Sequence, residues 1–317
     1  MIFMPKISKL NRNRIDLHVH STHSDGRLSP QNILRQCSQE RVNMVALADH
    51  DRLTPDLRAV ARSLGIRLVI STELGCYRND PTKMEHPLHI LGYGIAPSSN
   101  KILNKLAALD ESRRNDCSRF RQALEAEGLE VREEDVLREA KGQIPRRFHY
   151  SGATAKNPNN FELLSRLSPD PKLKYATLRQ IMSDCVSRTS VLSPAEATNL
   201  IKSSGGFPVL AHPCHKSDGW PTPDSPGLAE FIEEHLPLGL IGMECYSSHH
   251  QSHMIPQLIK IATDLNLAIT GGTDFHGREG ERLGAIKFKD VSTFIDLTDD
   301  MLNPRGCQII YSASDLG

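Results

Sequence analysis

The sequence predicts an α/β fold: a mostly parallel sheet that can close into a barrel, interrupted by a helical insertion. Three observations predict it. Short apolar runs bounded by turn residues recur seven times, at about 15–20, 44–48, 67–71, 88–93, 207–211, 240–245 and 267–270. Helical patterns lie between most of them, and alternation of strand with helix implies a parallel sheet. Between the fourth run and the fifth the character changes, because residues 99–189 are rich in Lys, Arg and Glu and carry few strand signals. Seven or eight strand–helix units can close into a barrel, whose functional groups gather at the C-terminal ends of its strands.

Each element has its own local reason. Residues 1–13 read as a loose leader without the apolar stretch of a signal peptide. In the first strand, Ile15-Asp-Leu-His18-Val-His20, the two histidines share a face, since alternate side chains of a strand point the same way. Ser29 suits an N-cap and Pro30 the first turn of a helix that reaches about Arg41. Met44-Val-Ala-Leu-Ala48 is continuously apolar, as a strand buried on both faces must be, and it runs into Asp49-His50-Asp51. A short helix over 56–64 closes on Gly65. The third strand ends in Thr72-Glu73, and the fourth, Leu88-His89-Ile-Leu-Gly-Tyr93, carries His89. In the insertion Leu103, Leu106 and Leu109 mark an apolar stripe, a helix continues over 112–127, and Ala155-Lys-Asn-Pro-Asn-Asn160 is loop chemistry. Ser193-Pro194 starts a further helix that stops at Gly205-Gly206. The fifth strand ends in His212 and the sixth carries Glu244. The seventh runs through Gly271-Gly272, read as a barrel turn, into Thr273-Asp274-Phe-His276. Helices are expected at 228–235 and 254–266. The barrel thus spans 12–98 and 190–298, and 99–189 is a helical insertion suited to capping a substrate.

Composition narrows the function. The 317 residues carry 38 basic and 38 acidic side chains, so no net field draws the chain to nucleic acid or membrane. No segment is long enough to span a bilayer. Seven cysteines, an odd number without a CxxC pair, make neither a disulfide framework nor a zinc ribbon, and point to a reducing, cytoplasmic setting. The compositional oddity is the 14 histidines.

Those histidines and the carboxylates are placed systematically. His18, His20, Asp25, His50, Glu73, His89, His212, Asp274 and His276 sit at or near strand ends. A lone His-x-His more often binds nothing, and any one of these groups can be a hydrogen-bonded rim residue; the repetition at strand after strand carries the inference. The set is all nitrogen and oxygen, without thiols. It suits Zn, Mn or Fe and disfavours a purely structural zinc. Nine ligands exceed the roughly four to six that one ion takes, so two or three divalent ions with bridging carboxylates are expected.

Taken together, His18-Val-His20, Asp25-Gly26, Ala48-Asp-His50-Asp51, Glu73, His89-Ile-Leu-Gly-Tyr-Gly94, Val209-Leu-Ala-His212-Pro213 and Gly272-Thr-Asp274-Phe-His276 resemble the motif series of the PHP (polymerase and histidinol phosphatase) family. The resemblance covers about 12–97 and 190–290 and lies nearest the stand-alone metal-dependent phosphoesterase branch. It implies a distorted (β/α)7 barrel and a trinuclear Mn, Zn or Fe site. By motif position His18, His20, Glu73 and Asp274 surround one ion. Glu73, His89 and His212 hold a second, and Asp25, His50 and His276 the third. Glu73, Asp274 and His276 are then the catalytic groups. The implied reaction is hydrolysis of a phosphate monoester of a small metabolite or nucleotide, such as a nucleoside 3′,5′-bisphosphate, by attack of metal-bound hydroxide on phosphorus. The alternatives are a 5′-to-3′ exonuclease on short RNA or DNA, a histidinol-phosphate phosphatase, and a non-catalytic metal-stabilised module. Few aromatic residues are available to stack long single strands. The expected partners are therefore a small phosphorylated substrate or a short oligonucleotide, with no membrane and no stable nucleic-acid complex.

In the insertion, Pro145-Arg-Arg147-Phe-His149 stands where the branch has Arg-Pro-His, with Phe148 in the place of proline. The resemblance implies that Arg147 and His149 meet the substrate phosphate; a guanidinium forks onto phosphate oxygens in bidentate fashion. The plain alternative is a solvated arginine pair at a helix end. After the sixth strand, one of His249 and His250 is a candidate for a phosphate contact or a general acid, the other reading being a pair of rim histidines. His215 is expected behind the ligands or exposed, and His23 in solvent.

Overall fold

Seven strands follow one another across a single sheet in chain order: β1 (Ile15–Val19), β2 (Met44–Leu47), β3 (Arg67–Cys76), β4 (Leu88–Tyr93), β5 (Phe207–Leu210), β6 (Gly242–Ser247) and β7 (Ala268–Gly272). The structure, a computed structural model, describes residues 15–77, 88–214, 228–230 and 239–286. The expected leader, His215, most of the helix at 228–235 and the C-terminal tail lie outside the described residues. Every residue of β1, β2 and β6 is buried: β2 reads as a continuous apolar run, while β1 and β6 bury Asp16, His18 and Glu244 among their apolar residues. The two ends of the sheet meet where Val19 bridges Phe275 in parallel, just past β7. There His20 N–H donates to the Phe275 carbonyl at 2.8 Å, so the barrel is nearly closed at the rim that carries the histidines.

Gly272 corrects the expected turn: it belongs to β7, and a Cβ on it would stand 2.3 Å from the His18 nitrogen. Only glycine lets β7 approach β1 this closely.

Strand direction differs in one place from the expected parallel alternation. β1–β2, β2–β3, β5–β6 and β6–β7 are parallel, but β4 runs antiparallel to β5, with Ile90 opposite Leu210 and Tyr93 opposite Phe207. Register shifts between Asp16 and Val19 and between Glu244 and Tyr246 distort the barrel further.

The helices follow their end signals. α1 (Pro30–Gln39) begins at Ser29, whose hydroxyl accepts the Asn32 N–H, and buries Ile33, Leu34 and Cys37. α2 spans Arg58–Ser63. No helix among the described residues is long and apolar enough to cross a membrane.

The chain divides into two compact units. The first takes the residues through Leu74, His89–Ser99 and those from Ala197 onward; the second takes Gly75–Leu88 and Asn100–Glu196. The second is helical: α3 (Asn100–Ala126), α4 (Glu133–Ala140), α5 (Arg147–Lys156), α6 (Phe161–Leu167) and α7 (Lys174–Ile181). Phe120, Leu124, Val136, Tyr150, Leu178 and Met182 pack at its centre. The apolar stripe of α3 is Ile102, Leu106 and Leu109; Leu103 is 41 % exposed. Spacing of four and three keeps residues on one helix face, and Leu103 sits one position off it. Of the expected loop at 155–160, the first two residues finish α5 and Pro158–Asn160 form a 3-10 turn. Two further helices are α8 (Pro194–Ser203) and α9 (Ile255–Asp264).

Candidate metal centre

Glu73 is the hub. It is fully buried, at the end of the barrel portion of β3. Its Oε1 lies 3.0 Å from His89 Nδ1 and 3.0 Å from His212 Nε2. Its Oε2 lies 2.8 Å from His50 Nδ1, 3.3 Å from His20 Nε2 and 3.4 Å from His18 Nε2. Asp274 Oδ1 stands 2.9 Å from His20 Nε2 and 3.4 Å from His18 Nε2. Asp25 Oδ2 is 3.1 Å from His276 Nε2, and its Oδ1 is 3.7 Å from His20 Nδ1. All nine sequence-derived candidates converge, and all nine lie in the first unit.

Three overlapping sets have donor atoms within 4.8 Å of one another: His18, His20 and Glu73; His50, Glu73 and His89; and His20, Asp25, His50 and His276. These sets differ in detail from the grouping by motif position. His50 faces Glu73 as well as Asp25, and His20 faces all three carboxylates.

The fold explains how residues so far apart meet. β1 projects His18 and His20 inward from one rigid face. β4 is reversed, so His89, near its start, arrives at the same rim as the C-terminal ends of the parallel strands; its carbonyl accepts the Ala211 N–H at 3.0 Å. His212 and Asp274 sit at φ 21° and 54°, on the left-handed side of backbone space that non-glycine residues adopt uncommonly.

Three buried carboxylates that the strand-end pattern did not single out as site residues hold these loops. Asp49 accepts from Ser21 N–H, Ser21 Oγ and Ser24 Oγ, each at 2.7 Å, and from Thr54 Oγ1 at 2.8 Å, shaping the loop that carries Asp25. Asp16 accepts from Thr273 N–H at 2.9 Å, Thr273 Oγ1 at 2.6 Å and Gly284 N–H at 2.9 Å, next to Asp274. Glu244 accepts the His212 N–H at 2.8 Å and lies 3.2 Å from His18 Nδ1 through either oxygen. The available signal was an acidic residue inside or beside an apolar strand run, since a buried charge is costly unless partnered.

The electrostatics are those of buried imidazoles and carboxylates set against one another. Burial works against a charged ring at His20, yet the carboxylates of Asp274 and Glu73 beside it raise its pKa to about 10. Burial likewise opposes charge on His18, but Glu244, Glu73 and Asp274 outweigh it and push the pKa well above the usual range. Burial would raise Glu73 and Asp274, yet the surrounding imidazoles hold both well below ordinary carboxylates. Burial would also raise Asp25, and His276, His50 and His20 lower it instead. Burial depresses His50. Two observations fit this donor set to divalent cations. Glu73 Oε2 and Asp274 Oδ1 are buried with no hydrogen bond aligned on them. His18 Nε2 and His20 Nε2 face each other at 3.2 Å, where neutral rings have room for one proton at most. The His, Asp and Glu clusters can hold metal ions.

The other candidates separate. His249 is about a third exposed, and its Nε2 lies 2.7 Å from Asp274 Oδ2. His250 is buried, with Nδ1 2.9 Å from the Cys245 carbonyl and Nε2 2.7 Å from that of Pro213. Both of its ring nitrogens are therefore committed to backbone. His23 is exposed. In the second unit Arg147 opens α5, and its Nη1 is buried without a hydrogen bond. His149 is buried; its Nδ1 accepts the Arg146 N–H at 3.0 Å and so caps the same turn. Phe148 is 52 % exposed, its ring 4.0 Å from that of His149.

Comparison with known proteins agrees with this geometry. A family model described as "PHP domain" matches residues 16–217. A phosphoribosyl 1,2-cyclic phosphate 1,2-diphosphodiesterase of Eggerthella lenta is 26 % identical, over 84 % of this chain and 95 % of its own. A 5′-3′ exoribonuclease of Haemophilus influenzae is 25 % identical, over 83 % and 90 %. A 3′,5′-nucleoside bisphosphate phosphatase of Chromobacterium violaceum is 26 % identical, over 85 % and 90 %. Among solved structures, an amidohydrolase from Chromobacterium violaceum shares the fold with a TM-score of 0.63 at 24 % identity, over 86 % of this chain and 90 % of that one.

Proposed function

This chain belongs to the PHP domain family, and on that footing we propose that it is a metal-dependent phosphoesterase that hydrolyses a phosphate monoester of a small metabolite or nucleotide. One observation carries the reading: a single buried carboxylate, Glu73, faces five imidazoles, and Asp274 and Asp25 complete the ring around them. A cage of this composition suits two or three Mn, Zn or Fe ions. His18, His20, Glu73 and Asp274 would hold one, Glu73, His89 and His212 another, and Asp25, His50 and His276 a third. Bound ions supply Lewis acidity, which makes a nucleophile from water near neutral pH and offsets the phosphate's charge.

The chain's own residues do the rest. Glu73 and Asp274 stay ionised and fix the spacing of the ligands. His249, rather than His250, is suited to hand a proton to the leaving oxygen, since its ring is partly exposed and is held by Asp274. Arg147 is assigned to the substrate phosphate, with His149 holding the turn that presents it.

The test is hydrolysis by the manganese-reconstituted protein of a panel: a nucleoside 3′,5′-bisphosphate, mononucleotides, histidinol phosphate, sugar phosphates and a 5′-phosphorylated short RNA. Release of inorganic phosphate from one small ester is the expected result. The Haemophilus relative, named an exoribonuclease, supports a second reading. Stepwise release of mononucleotides from the RNA would replace the first reading with that one. No turnover with manganese, zinc or iron would overturn both.

A further inference from the structure

We infer that Glu244 is a positioning residue of the metal centre, one carboxylate that sets the donors of two ions at once; the inference rests on the metal-dependent reading proposed above. Glu244 is fully buried in the apolar run Gly242-Met-Glu-Cys-Tyr246, at a register shift of β6. A carboxylate is not kept in such a place for packing, because an unpartnered buried charge is costly. Among the described residues its side chain meets two candidate ligand residues, His18 and His212.

The first is His18. Glu244 lies against Nδ1, at 3.2 Å from both oxygens, while Nε2 is the nitrogen that faces Glu73 and Asp274. An ionised carboxylate only accepts, so the Nδ1 proton stays with Glu244 and Nε2 is the nitrogen free to bind a cation. The second is His212. Its backbone N–H donates to Glu244 Oε2 at 2.8 Å, and this bond holds the residue at φ 21°. That backbone aims the ring whose Nε2 reaches Glu73 Oε1 at 3.0 Å. A ligand from β1 and a ligand following β5 are thus referenced to one point on β6.

Glu244→Gln separates this role from a packing role. An amide has one accepting oxygen and one donating nitrogen. With its oxygen on the His212 N–H, its NH2 group faces His18 Nδ1. That favours the tautomer protonated on Nε2 and covers the nitrogen that binds metal. A residue that only packs would lower thermal stability and leave metal affinity unchanged. Manganese and zinc affinities are measured by chelator competition, with folding followed by circular dichroism. Glu244→Gln should weaken binding by about 10- to 100-fold, the usual scale for groups that orient ligands. Glu244→Asp, which keeps the charge, should recover part of the loss. In the zinc-loaded wild type, histidine 15N spectra should show His18 protonated on Nδ1.

Wild-type affinity in Glu244→Gln at every ion would overturn the inference while leaving the metal-dependent reading intact. If Glu244→Gln does not fold, Glu244→Asp decides the matter: a shortened carboxylate that left metal affinity at the wild-type value would overturn the inference as well. A wild-type protein that binds no divalent ion would overturn both.

Discussion

His89 Nδ1 lies 3.4 Å from His212 Nε2, across a separation of 123 residues. The pair exists because β4 runs against β5. A parallel β4 would carry His89, its second residue, to the opposite end of the barrel. Both rings then close on the same oxygen of Glu73, so the direction of one strand decides whether these two imidazoles share one carboxylate.

Glu73→Gln should leave the barrel folded and empty it of metal. The substitution keeps the shape but removes the charge that five imidazoles face. Metal content by mass spectrometry should drop, and hydrolysis should fall by about 10²- to 10³-fold, the scale of losing one charge-stabilising group at a reacting centre. Full metal content with full activity would contradict the cage.

Metal binding should release protons and strengthen as pH rises. In the metal-free protein the neighbouring carboxylates push His20 up to about 10 and His18 well above its usual range, so the facing pair holds a proton at pH 7 that a cation must displace. Calorimetry in two buffers of different ionisation heat counts the protons released; a count of zero would refute the assignment. Stability of the metal-free protein follows the same sign. The raised histidines contribute fully below about pH 6.5, the unfolded value, and lose their contribution as pH climbs through the folded value near 10. The depressed carboxylates contribute above about pH 4 and lose it on acidification. The melting temperature of chelator-treated protein should therefore fall between pH 7 and pH 10.

Gly272→Ala should destabilise the barrel and disturb metal binding together. The new methyl group would meet the His18 backbone, not a flexible side chain. Overpacking of this kind costs about 1–3 kcal/mol. Thermal denaturation should show the loss, and a variant as stable as wild type would mean that β1 and β7 can separate freely.

Arg147→Ala should raise KM or lower kcat for phosphate esters by about 10- to 100-fold, the equivalent of a lost charge-assisted hydrogen bond. Arg147→Lys should restore little, since a single ammonium does not reproduce a bidentate fork. Unchanged kinetics in both variants would remove the insertion from substrate binding.

Much of this molecule was legible from local pattern. His18-x-His20, His50 and Asp274-x-His276 are visible as ligand types at the ends of apolar runs, and Ser29-Pro30 announces its helix. The pattern is weaker where two readings share one composition. Leu103 counts as apolar wherever it stands, and only the phase of α3 put Ile102 in the core in its place. Gly271-Gly272 has the composition of a turn, and only the contact with β1 shows why Gly272 ends a strand.

By itself the sequence determined the seven strands, the helical insertion and the nine candidate residues that converge, because side-chain periodicity and turn chemistry are set within a few residues of backbone. Tertiary structure alone decided the reversal of β4, the commitment of both His250 nitrogens to backbone carbonyls, and the placing of Asp16, Asp49 and Glu244 behind the ligands. Each of these depends on which distant backbone a polar group meets once buried, and that partner is supplied by strand direction and register, which no local pattern encodes.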